Sequence, residues 1–230
     1  MNGLFARPDP ATRLVLAEAP VLESWNAADH PDQLRLRAYL DGVAEALNAR
    51  GWAPQEQRTV ELVVGVPDSL PTYRGGRDLD NYLYPLARRL GPGHIVAAFG
   101  RKTHQPRSTI AVGPAELADQ PAGPPQLVVR TSVSTQTTAW KRAIHQACAD
   151  TVTRPLPAGP VSLRIQLGVS SRRNWTALWK PAIDALGPVL GMPNPALPFR
   201  PDDDRIVDLE LHRRLDDSLG YDVVVQVWWR

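Results

Sequence analysis

The sequence has a single cysteine and no hydrophobic run long enough to cross a membrane. One cysteine, Cys148, excludes a framework of internal disulfides, and its Ala-rich helical surroundings favour a buried structural thiol over a nucleophile. No stretch approaches the ~18 apolar residues that a membrane span needs, and the N-terminal residues lack the apolar core of a signal peptide. We therefore expect a cytoplasmic protein without a membrane partner.

The chain also has little net charge and few of the patterns that mark common enzyme sites. A net charge of +2 neither requires nor excludes a nucleic-acid partner, so the distribution of charge is more informative than its sum. The five histidines show no metal-ligand spacing, and Gly75-Gly76 lacks the pattern of a phosphate-binding loop. No Ser-His-Asp or Cys-His arrangement is indicated, and a nucleotide cofactor is not implied.

An internal repeat is present. Residues 77–92 align with residues 173–188 at a displacement of about 96, and five identities share this register: Arg77/Arg173, Pro85/Pro181, Leu90/Leu186, Gly91/Gly187 and Pro92/Pro188. The same displacement, without a gap, places residues 108–112 on 204–208 and residues 127–129 on 223–225. This pattern predicts a tandem duplication, with a first unit over residues 1–133 and a second over 134–230. Each unit is small, so we expect the two to pack as an internal pseudo-dimer.

The order of predicted elements is the same in both units. Residues 34–47 and 138–148 have helical spacing, and the alternating segments 60–66 and 161–167 that follow them predict strands with one buried face. A loop, a helix near a proline and two further strands complete each unit. This order predicts an α/β (α+β) fold with two sheet-plus-helix lobes. The pattern leaves open whether residues 126–133 complete the first sheet or start the second.

The loop from Arg74 to Asn81 carries the most specific short motif. Asp78 and Asp80 lie two residues apart, beside Arg77 and directly before a predicted helix. Two such carboxylates can converge on one Mg²⁺ ion, which proteins usually hold through one or two carboxylates plus water and phosphate. The alternative is that both aspartates cap the helix and that Asn81 is a turn residue.

The surrounding pattern resembles the RusA-type Holliday-junction resolvases. Arg77-Asp78-Leu79-Asp80-Asn81 carries the resemblance in the first unit, while Lys180, residues 182–186 and residues 202–208 carry it in the second. In that family two aspartates and one aspartate of a later pair bind Mg²⁺, a lysine assists, and homodimers cut four-way DNA junctions symmetrically. The resemblance, which covers nearly the whole chain, implies a RusA-like fold, branched or junction DNA as partner and Mg²⁺ as cofactor.

Neither unit matches the whole family pattern. The first has Asp78 and Asp80, but Tyr84 and Arg107 occupy the lysine and late-aspartate positions; the second has Lys180 and Asp203, but its other positions are Asn174, Thr176 and Ala177. Three outcomes follow: a composite site in which Asp78 and Asp80 face Asp203 and Lys180, a weak site in the first unit alone, or loss of catalysis. In each case one chain supplies at most one site, and as a monomer it nicks one strand or none unless two chains associate.

Basic and aromatic residues near the motif are candidates for DNA contact. Arg74, Arg77, Arg172 and Arg173 precede the motif loops at corresponding places, and phosphate contacts by such residues would give salt-sensitive binding. An ordinary solvated surface is the alternative. Asn81 joins this set through the motif, and Trp175, inside the second loop, is a candidate for stacking on an unpaired base. Packing in the core or at the lobe interface is the alternative for the tryptophans. The leading prediction is an Mg²⁺-dependent, structure-selective endonuclease or a degenerate relative; a non-catalytic DNA- or protein-binding module is the alternative.

Overall fold

The fold is built on one mixed sheet of eight strands with helices packed against it. A computed structural model describes residues 4–24, 26–51, 56–118, 124–135 and 137–230. The strands are β1 (Leu14–Val15), β2 (Arg58–Val66), β3 (Ile95–His104), β4 (Thr109–Pro114), β5 (Leu127–Thr131), β6 (Val161–Val169), β7 (Ile206–Leu215) and β8 (Val223–Trp229). The helices are α1 (Pro31–Asn48), α2 (Leu79–Leu90), α3 (Thr138–Thr151), α4 (Trp179–Asp184) and α5 (Gly187–Leu190). The expected mixed α/β class is confirmed at this level.

The strands follow the order β1-β4-β2-β3-β7-β6-β8-β5. Two pairs are parallel, β2 with β3 and β6 with β7, and the remaining pairs are antiparallel. The central contact is the antiparallel pairing of β3 with β7, whose middle pair is Phe99 with Glu210. The two units are therefore joined through backbone hydrogen bonds into one sheet, whereas the sequence predicted two sheet-plus-helix lobes packed as an internal pseudo-dimer.

The strand registers reveal an approximate two-fold axis at that middle pair. In the first unit Arg58 pairs with Ile95, after which a register shift places Thr59 opposite Ala97. In the second unit Val161 pairs with Ile206, and a shift at the same point places Ser162 opposite Asp208. The counterpart of β2 is therefore β6, that of β3 is β7 and that of β4 is β8. This correspondence supports an internal duplication directly from the backbone.

The sequence predicted that the two units align without a gap at a displacement of 96 residues, and this alignment is wrong for the strands. It placed residues 108–112 on 204–208, but the former lie largely in β4 and the latter lead into β7, whose counterpart is β3. The cause is a difference in loop length, since residues 91–94 join α2 to β3 whereas residues 191–205 join α5 to β7. Continued into the loops before β3 and β7, the strand register places Asp203 against Pro92 and not against Arg107.

The strand β5 lies in the half of the sheet that contains β6 and β8. Its residues pair antiparallel with β8, from Leu127 opposite Val227 to Thr131 opposite Val223. The strand at the corresponding place in the other half is β1, which pairs with β4. The question that the sequence left open is thus answered by the pairing, because β5 extends the second half of the sheet.

The helix α2 packs closely on the centre of the sheet. A Cβ atom at Gly100 of β3 would lie 3.1 Å from Leu83 Cδ1 and 3.2 Å from Leu79 Cβ, so the small residue permits this approach. Pro85 lies inside the helix and has no N–H to donate to the carbonyl of Asn81. That carbonyl instead accepts a hydrogen bond from the Glu23 backbone N–H at 2.8 Å. These contacts hold the beginning of α2 over the central strands.

The opposite face of the sheet carries a charged network near the two-fold axis. The Arg7 guanidinium donates to Glu61 and Glu210 at 2.9 Å each and also contacts Asp208. Its Cζ atom lies 4.9 Å from the centre of the Phe99 ring. The N-terminal segment is thereby attached across both halves of the sheet.

None of the described helices is long and apolar enough to span a membrane.

Candidate metal centre

The two aspartates of the first motif lie at the start of α2 but do not cap it. Asp78 occupies the position before the first helical residue, yet its side chain makes no capping hydrogen bond. Its Oδ2 atom instead accepts from the Asn81 side-chain amide at 3.1 Å. Asp80, two residues further along the chain and inside α2, is only 3% exposed. Asp78 therefore has the position of a helix cap but not its hydrogen bond, so capping does not account for this carboxylate.

Lys180 of α4 lies among carboxylates from both units. Its Nζ atom is 3.5 Å from Asp80 Oδ2, 3.5 Å from Asp184 Oδ1 and 3.7 Å from Asp203 Oδ2. Burial alone would lower the pKa of this ammonium group, but the neighbouring carboxylates outweigh burial and hold the pKa above its usual value. Lys180 therefore stays protonated and bridges the two units electrostatically.

The carboxyl group of Asp203 has a strongly raised pKa in this arrangement. It opens a short 3-10 turn, Asp203–Arg205, directly before β7, and its side chain is 15% exposed. Burial, together with the charges of Asp78 and Asp80, raises the pKa of Asp203 to about 7. Burial likewise raises the pKa values of Asp78 and Asp80, because their charged forms lose hydration. The site thus concentrates more negative charge than Lys180 fully neutralises.

The four residues predicted for a composite site are brought together. Asp80 Oδ2 and Asp203 Oδ2 lie within 3.5 and 3.7 Å of the same nitrogen, so they are separated by no more than the sum of those distances. Two carboxylates more than about 10 Å apart could not share one Mg²⁺ ion, and this pair lies well inside that limit. Asp78 belongs to the same cluster, since its charge acts on Asp203 and on Lys180.

The corresponding place in the other half has none of these groups. By the strand correspondence and the 96-residue displacement of the motif helices, the counterparts of the four residues are Asn174, Thr176, Tyr84 and Pro92. The Thr176 hydroxyl donates to the Asn174 side-chain oxygen at 2.8 Å, and the threonine is buried. The three aspartates and the lysine therefore lie at one of the two symmetry-related places, and Asn174, Thr176, Tyr84 and Pro92 lie at the other.

Four charged residues that sequence analysis did not assign also contribute to the cluster. Asp184 lies one helical turn after Lys180 and accepts from Lys141 Nζ at 2.5 Å. The i, i+4 spacing of Lys180 and Asp184 was a usable signal, whereas nothing in the sequence indicated Lys141. Asp204 and Lys102 hold the adjoining loops in place. Asp80, Lys180, Asp184 and Lys141 line a cavity of about 340 Å³ between α2 and α4.

The structure changes the assignment of Trp175. Its side chain is 1% exposed, and its indole N–H donates to the Ile95 carbonyl at 3.0 Å. The ring packs edge-to-face on Trp179, with 4.8 Å between centroids. The prediction that Trp175 stacks on an unpaired base is therefore wrong, because the ring is enclosed by the core.

The four candidate arginines divide into two groups. Arg77 donates to the backbone carbonyls of Pro71 and Arg74 at 3.0 and 2.7 Å, and Arg173 donates to the Tyr221 carbonyl. Both guanidinium groups thus shape the loops that carry them. Arg74 and Arg172 are exposed, so their charges remain accessible to a phosphate backbone. Asn81 also keeps a structural contact, through its bond to Asp78.

The donor chemistry of the cluster suits Mg²⁺, but the carboxylates are not arranged around an ion. Asp78, Asp80 and Asp203 offer the hard oxygen ligands that Mg²⁺ prefers, and their raised pKa values arise mainly from burial and in part from the charges of neighbouring carboxylates. In the part of the chain that the structure describes, no group of three or more His, Cys, Asp or Glu side chains is positioned to hold a metal ion. Lys180 lies between these carboxylates, so metal binding requires its ammonium group to move aside.

Comparison with known proteins adds no family assignment. No protein-family model and no curated protein sequence matches this chain. Among solved structures the chain is similar to cyanuric acid hydrolase, with a TM-score of 0.21 and 13% sequence identity. The match covers 83% of this chain and 64% of that chain, so this chain spans less than two thirds of that relative. A likeness at this TM-score carries no argument about fold or function.

Proposed function

We propose that this protein is a RusA-like, Mg²⁺-dependent, structure-selective DNA endonuclease that acts on branched DNA through one composite site. The observation that carries the proposal is the meeting of Asp78 and Asp80 from the first unit with Lys180 and Asp203 from the second. Three acidic residues and a lysine from segments about 100 residues apart converge at one place. We also propose that both units have a RusA-like fold and that the protein is cytoplasmic.

The cluster supplies the groups that phosphodiester hydrolysis needs. Asp78, Asp80 and Asp203 would hold Mg²⁺, which when bound activates a water molecule and polarises the phosphate. Lys180 contributes a positive charge that stabilises the additional negative charge on the phosphate in the transition state. Asp184 keeps Lys180 oriented through its ion pair, and the accessible Arg74 would bind the DNA backbone beside the site.

A single site predicts a nick and not a symmetric double cut. The counterpart site lacks every carboxylate and the lysine, so one chain can hydrolyse one strand for each binding event. The approximate two-fold symmetry of the sheet also explains how a monomer can present a dimer-like surface to a branched DNA. Two incisions would require two chains, as in a higher homo-oligomer.

The test is cleavage of an end-labelled four-way junction with and without Mg²⁺, comparing wild type with Asp80→Asn. We expect Mg²⁺-dependent nicking by the wild type and none by the variant, since the substitution removes a buried ligand charge. Asn174→Ala is a matched control, because Asn174 is exposed and is the counterpart of Asp78 in the other half. If the wild type nicks no DNA structure at any Mg²⁺ concentration, the nuclease proposal fails.

The alternative is a non-catalytic module that binds branched DNA or a protein partner. The position of Lys180 favours it, because the ammonium group already neutralises part of the acidic cluster and no metal-ligand group is formed among the described residues. Salt-sensitive junction binding without nicking would support this module as a DNA binder. Absence of both nicking and DNA binding would leave a protein partner as the remaining form of the alternative.

A further inference from the structure

The carboxylate of Asp204 connects the two loops that carry the candidate ligands. Its Oδ2 atom accepts from the Gly76 backbone N–H at 2.8 Å, and its Oδ1 atom accepts from the Arg77 N–H at 3.0 Å. Arg77 directly precedes Asp78, and Asp204 directly follows Asp203. One side chain thereby fixes the backbone next to a ligand of the first unit to the backbone next to a ligand of the second.

Lys102 of β3 also binds Asp204. Its Nζ atom donates to the Asp204 backbone carbonyl at 2.6 Å and to Asp204 Oδ1 at 3.2 Å, and its side chain is completely shielded from solvent. Asp204 therefore accepts hydrogen bonds from three donors, namely the Gly76 and Arg77 backbone N–H groups and the Lys102 ammonium group.

The counterpart half provides an internal comparison. By the correspondence of β3 with β7, Arg213 occupies the place of Lys102 and Gly93 the place of Asp204. Arg213 Nη1 donates to the Gly93 carbonyl at 3.1 Å, so the bond between a basic side chain and the loop carbonyl is kept. Glycine has no carboxylate to reach the opposite motif loop. The link through Asp204 is thus present in the half that contains the candidate ligands and absent from the half that lacks them.

We propose that Asp204, supported by Lys102, is a positioning residue that sets the distance between Asp78 and Asp203 and so permits metal binding at the composite site. This inference rests on the proposed function. Neither Asp204 nor Lys102 needs to touch the metal or the DNA. Partners that orient metal ligands typically affect metal affinity or activity by about 10- to 100-fold when they are replaced.

The test measures nicking and Mn²⁺ binding for wild type, Asp204→Asn and a pair of Lys102 variants. We expect Asp204→Asn to lower the nicking rate and to raise the Mg²⁺ concentration for half-maximal rate by about 10- to 100-fold, with the KM for DNA unchanged. Mn²⁺ affinity, measured by electron paramagnetic resonance without DNA, should fall in parallel. Lys102→Arg should retain more activity than Lys102→Met, because an arginine makes the equivalent bond in the other half.

Arg213→Met is the matched control, since it removes the corresponding bond from the half without ligands and should leave the Mg²⁺ dependence unchanged. If Asp204 had only a structural role, the Asp204→Asn variant would have a lower melting temperature than the wild type. Its half-maximal Mg²⁺ concentration and its Mn²⁺ affinity would then equal those of the wild type. That result would overturn the positioning role while leaving the nuclease proposal intact. If the wild type itself neither nicks DNA nor binds Mn²⁺, both proposals fail.

Discussion

Replacing Asp203 by asparagine should make the metal-free protein more stable at alkaline pH. Burial and the charges of Asp78 and Asp80 raise the pKa of Asp203 from 3.8 to about 7. The folded state therefore disfavours the ionised form of Asp203, which the unfolded chain accommodates freely. Asparagine fills nearly the same volume without carrying the charge, so it removes this penalty and keeps an oxygen near Lys180.

The magnitude follows from the size of the pKa shift. Each unit corresponds to about 1.4 kcal/mol, so the shift predicts a difference of about 2–4 kcal/mol between the Asp203→Asn variant and the wild type above pH 7. Well below the ordinary pKa of 3.8 the carboxyl group is protonated in both states and the penalty is absent. Between these values the folded protein binds more protons than the unfolded chain, so the stability of the wild type falls as the pH rises.

Urea unfolding of both proteins at pH 5, 6, 7 and 8 in the presence of a chelator measures this difference. The advantage of Asp203→Asn should grow with pH and level off near pH 8. Asp202→Asn is the control, because the ion-pair partners of Lys180 among the described residues are Asp80, Asp184 and Asp203. A wild type that is more stable than the variant at pH 8, or a difference independent of pH, would refute the reasoning.

Three further substitutions test other parts of the structure. Trp175→Phe should lower the free energy of unfolding by about 1–3 kcal/mol, because a buried carbonyl of β3 loses its donor, and should leave junction binding unchanged. Arg7→Met should destabilise the protein by roughly 1–3 kcal/mol at neutral pH and less in acid, since the buried Glu61 loses one of its cationic partners. The double variant Arg74→Gln/Arg172→Gln should weaken junction binding and reduce the slope of log affinity against log salt by about one for each lost phosphate contact. An unchanged slope would mean that these arginines do not contact DNA.

Several features of the site were predictable from local patterns in the sequence. The repeat around Pro85 and Pro181, the position of Asp78 and Asp80 at the start of a helix, and the separation of Lys180 from Asp203 are all visible along the chain. They depend on short-range spacing, which side-chain chemistry and helix geometry constrain directly. The complementary losses in the two units also suggested a composite site before any geometry was known.

Other features depended on contacts that spacing does not encode. Trp175 lies in a motif loop, and only the packing of that loop on β3 shows that its ring is enclosed. The roles of Arg77 and Arg173 changed for a similar reason, because their guanidinium groups bind backbone carbonyls of neighbouring loops. Lys102 and Asp204 could not be singled out, since their significance comes from a pairing across 102 residues.

The sequence by itself determined a mixed α/β protein and predicted a duplication, with Asp78 and Asp80 in the first unit and Lys180 and Asp203 in the second. The tertiary structure decided which groups meet. The antiparallel pairing of β3 with β7 creates the two-fold relation, and unequal loops after α2 and α5 displace the strands relative to the helices. Strand pairing is a long-range property that depends on burial of the whole sheet, so residue spacing does not fix it. That pairing places Asp203 beside Asp80 and leaves Pro92 at the corresponding place.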